Sequence, residues 1–233
     1  MRFRHSDELW QEFPALVPGV LYAEGIGPAA PEVTVAARVA RYTAIAEQRL
    51  GDGTESELPE IRAWRRGFAR MGLKPTQYRC ASESLLRRFR KERTLPAIHP
   101  LIDLCNAISL AFAIPVAALD LARIAGPLEV RHARGDETYL TFAGETEHPD
   151  RGEVIFADAA GQAHARRWTN RQSGRSAVRD ATRTVLIVAE ALHDTAADDI
   201  QRLVAAIGVE LAAVWPVSPK TALLSRAAPE FVI

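Results

Sequence analysis

Three polar side chains interrupt an otherwise apolar stretch, residues 101–114 (LIDLCNAISLAFAI). Asp103, Asn106 and Ser109 follow one another at steps of three, so in a helix they lie along one face. The stretch is apolar on nearly every other side, which is typical of a buried helix, and Pro100 suits its first turn. Polar groups in such a helix need hydrogen-bond partners. They either bond to neighbouring backbone or line a site, and composition alone favours the backbone interpretation.

A second polar stretch, RRWTNRQSGRSAVRDATR at residues 166–183, lies between two predicted strands. Its six arginines against one aspartate give it a formal charge of +5, and it also offers neutral hydrogen-bonding side chains (Thr169, Asn170, Gln172, Ser173). A polar loop on a rigid sheet is a suitable place to hold a phosphate or an adenosine. A solvent-exposed hairpin tip explains the same pattern equally well. We expect Trp168, at the start of the stretch, to be packed.

Positive charge is also concentrated between Arg62 and Arg93. Eleven lysines and arginines stand there against two glutamates, a net charge of +9 in a chain whose formal net charge is zero. Such a segment either attracts a polyphosphate chain or forms solvated helix faces that acidic neighbours neutralise in the fold. At helical spacing, Trp64 and Phe68 are expected in the core.

Several classes of protein are disfavoured by the sequence. Cys80 and Cys105 match no metal or redox spacing, which is typical of reduced thiols in a cytosolic protein. The six histidines show no ligand spacing, so neither a metal nor another cofactor is expected. No apolar run reaches the roughly 18 residues of a membrane span, and no signal peptide is recognisable. We therefore expect a cytoplasmic location.

Hydrophobic periodicity predicts an α+β fold, because a run of helices precedes a run of short strands. Helices are expected at residues 31–50, 59–71, 82–91, 101–114 and 196–215, with caps at Ser82 and Thr195. Strands are expected at residues 18–26, 116–121, 128–132, 137–142, 153–157, 163–168 and 184–192, largely in an antiparallel sheet. We expect residues 1–94 to form an N-terminal strand and basic helical region that packs on a core of residues 95–233.

Four short motifs occur in a particular order. The first joins DLCN (103–106) to AIPVAALD (113–120) within one continuous segment, and it is followed by VRHARGDE with LTF (130–142), VIFAD (154–158) and SAVRDAT (176–182). In order and spacing they resemble the B3/B4 editing domain of the phenylalanyl-tRNA synthetase β subunit. Trp168, Arg171 and Ser173 are more similar to the corresponding loop of free-standing B3/B4 proteins. The resemblance covers residues 95–192 and implies stacked β-sheets covered by helices in three layers. The synthetase's other domains are not recognisable, so this chain is not expected to charge tRNA.

The resemblance implies a pocket that accepts the aminoacylated 3′ end of a tRNA and hydrolyses the ester of a mischarged one. Water would be the nucleophile, and the site would position it and stabilise the oxyanion with fixed donors. By position, the family's pocket Thr, His, Gly and Glu fall at Cys105, Ala117, Thr169 and Val188.

Because the pocket His is replaced, the catalytic role is expected to pass to other residues. Glu190 is the best candidate for a general base, since it lies two residues after Val188 on the same strand face. Ser173 and Asn106 are the other catalytic candidates, and Arg171, Gln172 and Thr182 are added to the substrate-binding set. Residues expected to contact the tRNA backbone are Arg65, Arg66, Arg87, Arg88, Arg90, Lys91, Arg167 and Arg175.

Two classes of function remain open from the sequence. One is a hydrolase that edits mischarged tRNA in trans. The other is a non-catalytic tRNA- or RNA-binding module that kept the fold and the basic face. Binding of an unrelated small metabolite in the same pocket is a third, weaker alternative.

Overall fold

The computed structural model describes residues 1–27 and 32–233. The helices are α1 (Asp7–Glu12), α2 (Glu32–Leu50), α3 (Pro59–Arg70), α4 (Ala81–Glu92), α5 (Pro100–Phe112) and α6 (Ala196–Val214). The strands are β1 (Arg2–His5), β2 (Val17–Glu24), β3 (Val116–Asp120), β4 (Leu128–His132), β5 (Tyr139–Leu140), β6 (Thr146–Glu147), β7 (Val154–Ala157), β8 (Ala163–Arg166), β9 (Arg171–Gln172), β10 (Thr184–Ala191), β11 (Lys220–Leu223) and β12 (Glu230–Val232). The first residue of the helix predicted over 31–50 lies outside the described residues. Within them, no helix combines the length and apolar character needed to cross a membrane.

Two larger sheets organise the molecule. The six-stranded sheet has the order β12-β1-β4-β7-β8-β9, and the four-stranded sheet has the order β11-β2-β10-β3. All neighbouring strands are antiparallel except β1 and β4, which run parallel. A small ribbon pairs β5 with β6. The α+β class and the largely antiparallel sheet are therefore confirmed.

The alternation of side chains along β10 shows how the layers stack. Leu186 and Val188 belong to the core between the two sheets, whereas Val185, Ile187 and Ala189 belong to the core between the four-stranded sheet and the helices. Successive strand residues point to opposite faces, so one strand contributes to both cores. Helices α5 and α6 cover the outer face of the four-stranded sheet, and α2 packs on α5. This gives the three-layer arrangement of two sheets and one helical layer.

The polar stripe on α5 mostly serves the backbone. Asp103 Oδ1 accepts a 2.8 Å hydrogen bond from Ile98 N, and Ser109 Oγ donates a 2.6 Å bond to Ile114 O. The backbone interpretation is thus confirmed for these two residues. Asn106 lies half-buried between them on the same helix.

Some elements were missed by the sequence analysis, namely β1, α1, β6, β9, β11 and β12. Of these missed elements, β1 is an interior strand of the six-stranded sheet. Strand β2, which the sequence predicts, is an interior strand of the four-stranded sheet. The predicted cap at Ser82 is wrong, because α4 begins at Ala81 and Ser82 lies within its first turn. The predicted strand over 137–142 is reduced to two residues. The division at residues 94 and 95 stays a prediction.

Candidate active site between the two sheets

A cavity of about 60 Å³ lies between the two sheets, where β3 and β10 meet the connector that follows β8. Six of the residues singled out from the sequence line it: Ala117, Thr169, Arg171, Gln172, Val188 and Glu190. Ala117 on β3 is the cross-strand partner of Val188 on β10, which places both at one wall. Glu190 lies on the same strand face as Val188 because side chains repeat every two residues. Phe156, Ala165 and Trp168 complete apolar parts of the lining.

Glu190 is the buried charged group of this cavity, with an exposed fraction of 2%. Its Oε1 accepts a 2.8 Å hydrogen bond from Trp168 Nε1 and a 2.6 Å bond from His5 Nε2. Its backbone oxygen accepts from Trp64 Nε1 at 3.2 Å. Both side-chain bonds end on the same carboxylate oxygen, so Oε2 is the oxygen available to a molecule in the cavity.

His5 is a site residue that the sequence analysis did not find. It lies on β1, where exposed Arg2 and Arg4 alternate with buried Phe3 and His5. This alternation is the period expected of a strand with one buried face. Four residues are too few for a strong signal, and 185 positions separate His5 from its partner Glu190.

The chain turns sharply just before the cavity. Arg167 has φ 47° and Trp168 has φ 57°, a left-handed conformation that costs about 1–2 kcal/mol per residue without glycine. Several contacts of Trp168 offset this cost. Its backbone N donates to Val154 O at 2.7 Å, and its indole packs edge-on against Trp64 at 5.1 Å and Phe13 at 4.8 Å. The turn thus aims the indole N–H at Glu190 and presents residues 169–172 to the cavity.

Among the polar side chains of this connector, Thr169 is the one with a buried polar atom that lacks a hydrogen-bond partner among the described residues. Its Oγ1 is buried and has no hydrogen-bond partner in the described part of the chain. Gln172 Nε2 already donates to Ala118 O at 2.8 Å, and Asn170 Nδ2 donates to Arg79 O at 2.7 Å. Arg171 pairs with Glu147 at 3.2 Å while its side chain remains 40% exposed.

Four predicted site residues lie away from this cavity. Cys105 packs in the core between the helices and the four-stranded sheet, and burial raises the pKa of its thiol to about 12. Asn106 is its neighbour on α5, and neither residue is among those lining the cavity. Ser173 Oγ donates to Leu140 O at 2.8 Å, and Thr182 Oγ1 donates to Asp120 Oδ2 at 2.8 Å. In this structure the latter two hydroxyls hold loops in place.

Six of the eleven lysines and arginines of the basic segment form ion pairs in the described structure. Buried Glu83 pairs with Arg65 and Arg79, and buried Glu55 pairs with Arg87 and Arg90. Arg88 and Arg93 also form ion pairs, with Glu92 and Glu47. The interpretation as helix faces with acidic neighbours is therefore confirmed in part, and attraction of a polyphosphate chain stays a prediction.

Of the eight residues expected to contact tRNA, three have no acidic partner within the described ranges: Arg66, Lys91 and Arg175. Arg167 lies 3.9 Å from Glu153, and its guanidinium stacks over Tyr78 at 4.8 Å. Candidate RNA contacts are therefore fewer than the sequence alone indicates.

Comparison with known proteins identifies a family and a similar solved structure. The family model of the B3/4 domain matches residues 63–206, which is more than half of the chain. The crystal structure of an N-terminal fragment of the phenylalanyl-tRNA synthetase β-subunit from Pyrococcus horikoshii is similar, with a TM-score of 0.48 and 10% sequence identity. The match covers 93% of this chain and 49% of that fragment, so the chain spans about half the fragment's length. No protein with a curated description matches the sequence.

Proposed function

The chain belongs to the B3/4 domain family, and on that premise we propose that it hydrolyses the ester linking an amino acid to the 3′ end of a mischarged tRNA, acting in trans. One observation carries the proposal. Three of the four positions at which the family's pocket residues fall, Ala117, Thr169 and Val188, line a single cavity together with Glu190. A cavity that unites these positions with a buried carboxylate has the composition of a hydrolytic site.

The size of the cavity limits what it accepts. A volume of about 60 Å³ corresponds to about two water molecules at roughly 30 Å³ each. The walls formed by Ala117, Val188 and Phe156 are apolar. The cavity therefore suits a small side chain or the attacking water, and the terminal adenosine would lie at its mouth beside Arg171.

In the proposed reaction Glu190 is the general base. Oε2 would take a proton from water while the water oxygen bonds to the ester carbonyl carbon. The bond from that carbon to the ribose oxygen then breaks, and the ribose oxygen takes up the proton. Free amino acid and tRNA with a free 3′ terminus are the products.

The other polar groups would position the reactants. Trp168 and His5 hold Oε1 of Glu190 through bonds of 2.8 and 2.6 Å and so fix the direction of Oε2. Thr169 Oγ1, buried without a partner among the described residues, would donate to the carbonyl oxygen as negative charge develops on it. Arg66 and Lys91, which have no acidic partner in the part of the chain that the structure describes, would contact the tRNA backbone.

A second candidate function is a tRNA- or RNA-binding module without catalysis. It is favoured by Ala117, because this residue stands where the family's pocket carries a His. In this case the basic residues without an acidic partner in residues 1–27 and 32–233 would bind the RNA backbone. Release of amino acid separates the two candidates.

The test is a deacylation assay with a panel of tRNAs, each carrying a different radiolabelled amino acid. We expect release from at least one mischarged tRNA, and a rate about 10²- to 10⁴-fold lower in Glu190→Gln, which keeps the side-chain volume but removes the base. Glu24→Gln, at an exposed position of β2, is the matched control and should leave the rate unchanged. Wild-type release by a folded Glu190→Gln protein would remove Glu190 as base. Tight tRNA binding without any release would favour the second candidate.

A further inference from the structure

Three potential metal ligands from distant parts of the sequence meet on the helical side of the molecule. Glu60 lies in the first turn of α3, His193 lies between β10 and α6, and Asp199 lies in the first turn of α6. Each offers one ligand atom, and these atoms lie within 4.8 Å of one another. None of the three lines the cavity at Glu190.

Glu60 gives an independent indication that this cluster binds something. The residue is 5% exposed, and its Oε2 is buried without a hydrogen-bond partner in the described residues. Its Oε1 is bonded to Arg49 Nη2 at 2.7 Å, and Arg49 is itself anchored to Ala111 O at 2.8 Å. A buried carboxylate oxygen without a hydrogen-bond partner destabilises the folded state, because the group has lost its hydrogen bonds to water. A bound cation at the cluster would remove that cost.

The other two ligands are held in a similar way. His193 Nε2 donates to Asp199 Oδ2 at 2.9 Å, and Thr195 donates to the same oxygen. Binding of a metal ion would release the proton of this imidazole nitrogen to solvent, so that Nε2 could become a ligand. Asp199 Oδ1 pairs with Arg202, whose side chain is 70% exposed. Each carboxylate therefore uses one oxygen for an arginine and directs the other toward the cluster. Each arginine also offsets part of the negative charge that would attract a cation.

We propose that Glu60, His193 and Asp199 bind one divalent transition-metal ion of the Zn²⁺ type. An imidazole nitrogen with two carboxylates suits zinc and its neighbours, whereas Mg²⁺ and Ca²⁺ prefer sets made only of oxygen. With bonds of about 2.0–2.1 Å in tetrahedral geometry, ligand atoms lie about 3.3 Å apart, so the cluster contracts by at most about 1.5 Å on binding.

Such an ion would keep a position open to other molecules. Glu60 and Asp199 line a cavity of about 1110 Å³, which also contacts Tyr42 and Phe112. Three protein ligands beside an open cavity leave a fourth position for water, the arrangement found in zinc sites that are not purely structural. The inference does not depend on the proposed hydrolase, since the two sites share no residue.

Calorimetric titration of the chelator-treated full chain with Zn²⁺ tests the proposal. We expect one ion bound per chain, and at least about tenfold weaker binding in Glu60→Gln and in His193→Gln. Asp194→Asn removes a neighbouring exposed carboxylate that is not part of the cluster, so its affinity should stay within about twofold of the wild type. Cobalt substitution provides a second readout, since tetrahedral Co²⁺ gives intense visible bands that both ligand variants should lose.

Arg202→Ala keeps the test decisive if the ligand variants fold poorly. Arg202 is mostly exposed, and its removal frees Asp199 Oδ1 and takes away a positive charge. Zn²⁺ binding should therefore strengthen several-fold, with thermal unfolding confirming that the variant is folded. Absence of stoichiometric binding by the wild type, or equal affinity in Arg202→Ala and in folded ligand variants, would overturn the proposal.

Discussion

The indole Nε1 of Trp168 donates a 2.8 Å hydrogen bond to Oε1 of Glu190. Trp168 follows β8 of the six-stranded sheet, and Glu190 lies on β10 of the four-stranded sheet, so this bond ties the two sheets together. His5 on β1 adds a second bond to the same oxygen at 2.6 Å. The sheets are thus joined at the carboxylate that lines the cavity.

The hydrogen bond from Trp168 predicts that two tryptophan-to-phenylalanine variants differ in stability. Trp168→Phe removes the N–H but keeps most of the ring, and it should lower the free energy of unfolding by about 1.5–3 kcal/mol, as expected for a bond to a charged acceptor. Trp10→Phe is the matched control, because Trp10 is also buried but its Nε1 has no partner in the described part of the chain. Its loss should be smaller by at least about 1 kcal/mol. Urea denaturation of both variants measures the difference, and equal losses would contradict it.

The His5 and Glu190 pair should show strong coupling. His5→Phe leaves the carboxylate of Glu190 buried without one of its donors, so we expect a loss of about 3 kcal/mol in unfolding free energy. Adding Glu190→Gln to that variant removes the uncompensated charge and should restore part of the loss. A double-mutant cycle from chemical denaturation should give a coupling energy of at least about 1 kcal/mol. Additive losses would show that the contact contributes little.

His99 predicts a pH dependence of stability. Its Nδ1 accepts a 3.2 Å bond from Leu101 N at the start of α5. Burial lowers the pKa of His99 below its ordinary value of 6.5, although Asp180 and Asp103 oppose the shift. The folded state then binds a proton less readily than the unfolded chain, so stability is present above pH 6.5 and declines as the pH falls below it.

Asparagine at this position provides the test. The Asn side chain is a good helix cap and does not titrate in this range. When the pH falls from about 7.5 to about 5, the free energy of unfolding of His99→Asn should therefore decrease less than that of the wild type. Parallel curves for the two proteins would show that His99 does not contribute.

At Gly19, α6 packs closely against the four-stranded sheet. A Cβ at this position would lie 2.5 Å from Ile200 Cγ2 and 2.6 Å from Val204 Cγ2, so Gly19→Ala should push α6 away at a cost of about 1–3 kcal/mol. Gly208→Ala tests the opposite side of the same interface. Its nearest neighbour would be Leu21 Cδ1 at 3.8 Å, and replacing glycine inside a helix should stabilise by about 0.5–1 kcal/mol. Thermal unfolding should move in opposite directions for the two variants.

Two adjacent arginines on α3 should differ in RNA binding. Arg66 is exposed without an acidic partner among the described residues, whereas Arg65 is bonded to buried Glu83 at 2.6 Å. If Arg66 contacts a phosphate, Arg66→Gln should reduce the slope of log affinity against log salt concentration by about 1. Arg65→Gln should change the slope much less. Titration of labelled tRNA at several salt concentrations measures both slopes, and equal slopes would contradict the assignment.

The sequence by itself determined the main helices, most strands and the α+β class. These depend on local periodicity, turn residues and caps, which act over one or two turns of chain. It also identified Ala117, Thr169, Val188 and Glu190 as positions to examine, through family resemblance and the two-residue strand period. Trp64, Phe68 and Trp168 were expected in the core, and they are buried there.

Only the tertiary structure decided which of the candidate side chains meet. His5 reaches Glu190 because β1 inserts beside β4 in the other sheet, a pairing between chain segments too far apart for local patterns to reveal. Glu60 likewise meets His193 and Asp199 only through the packing of α3 against β10, the strand that precedes them. The pairing of charges also depends on the tertiary structure, because the fold brings Glu55 and Glu83 close to arginines. Composition counts charges and ligands, but distance decides their interactions.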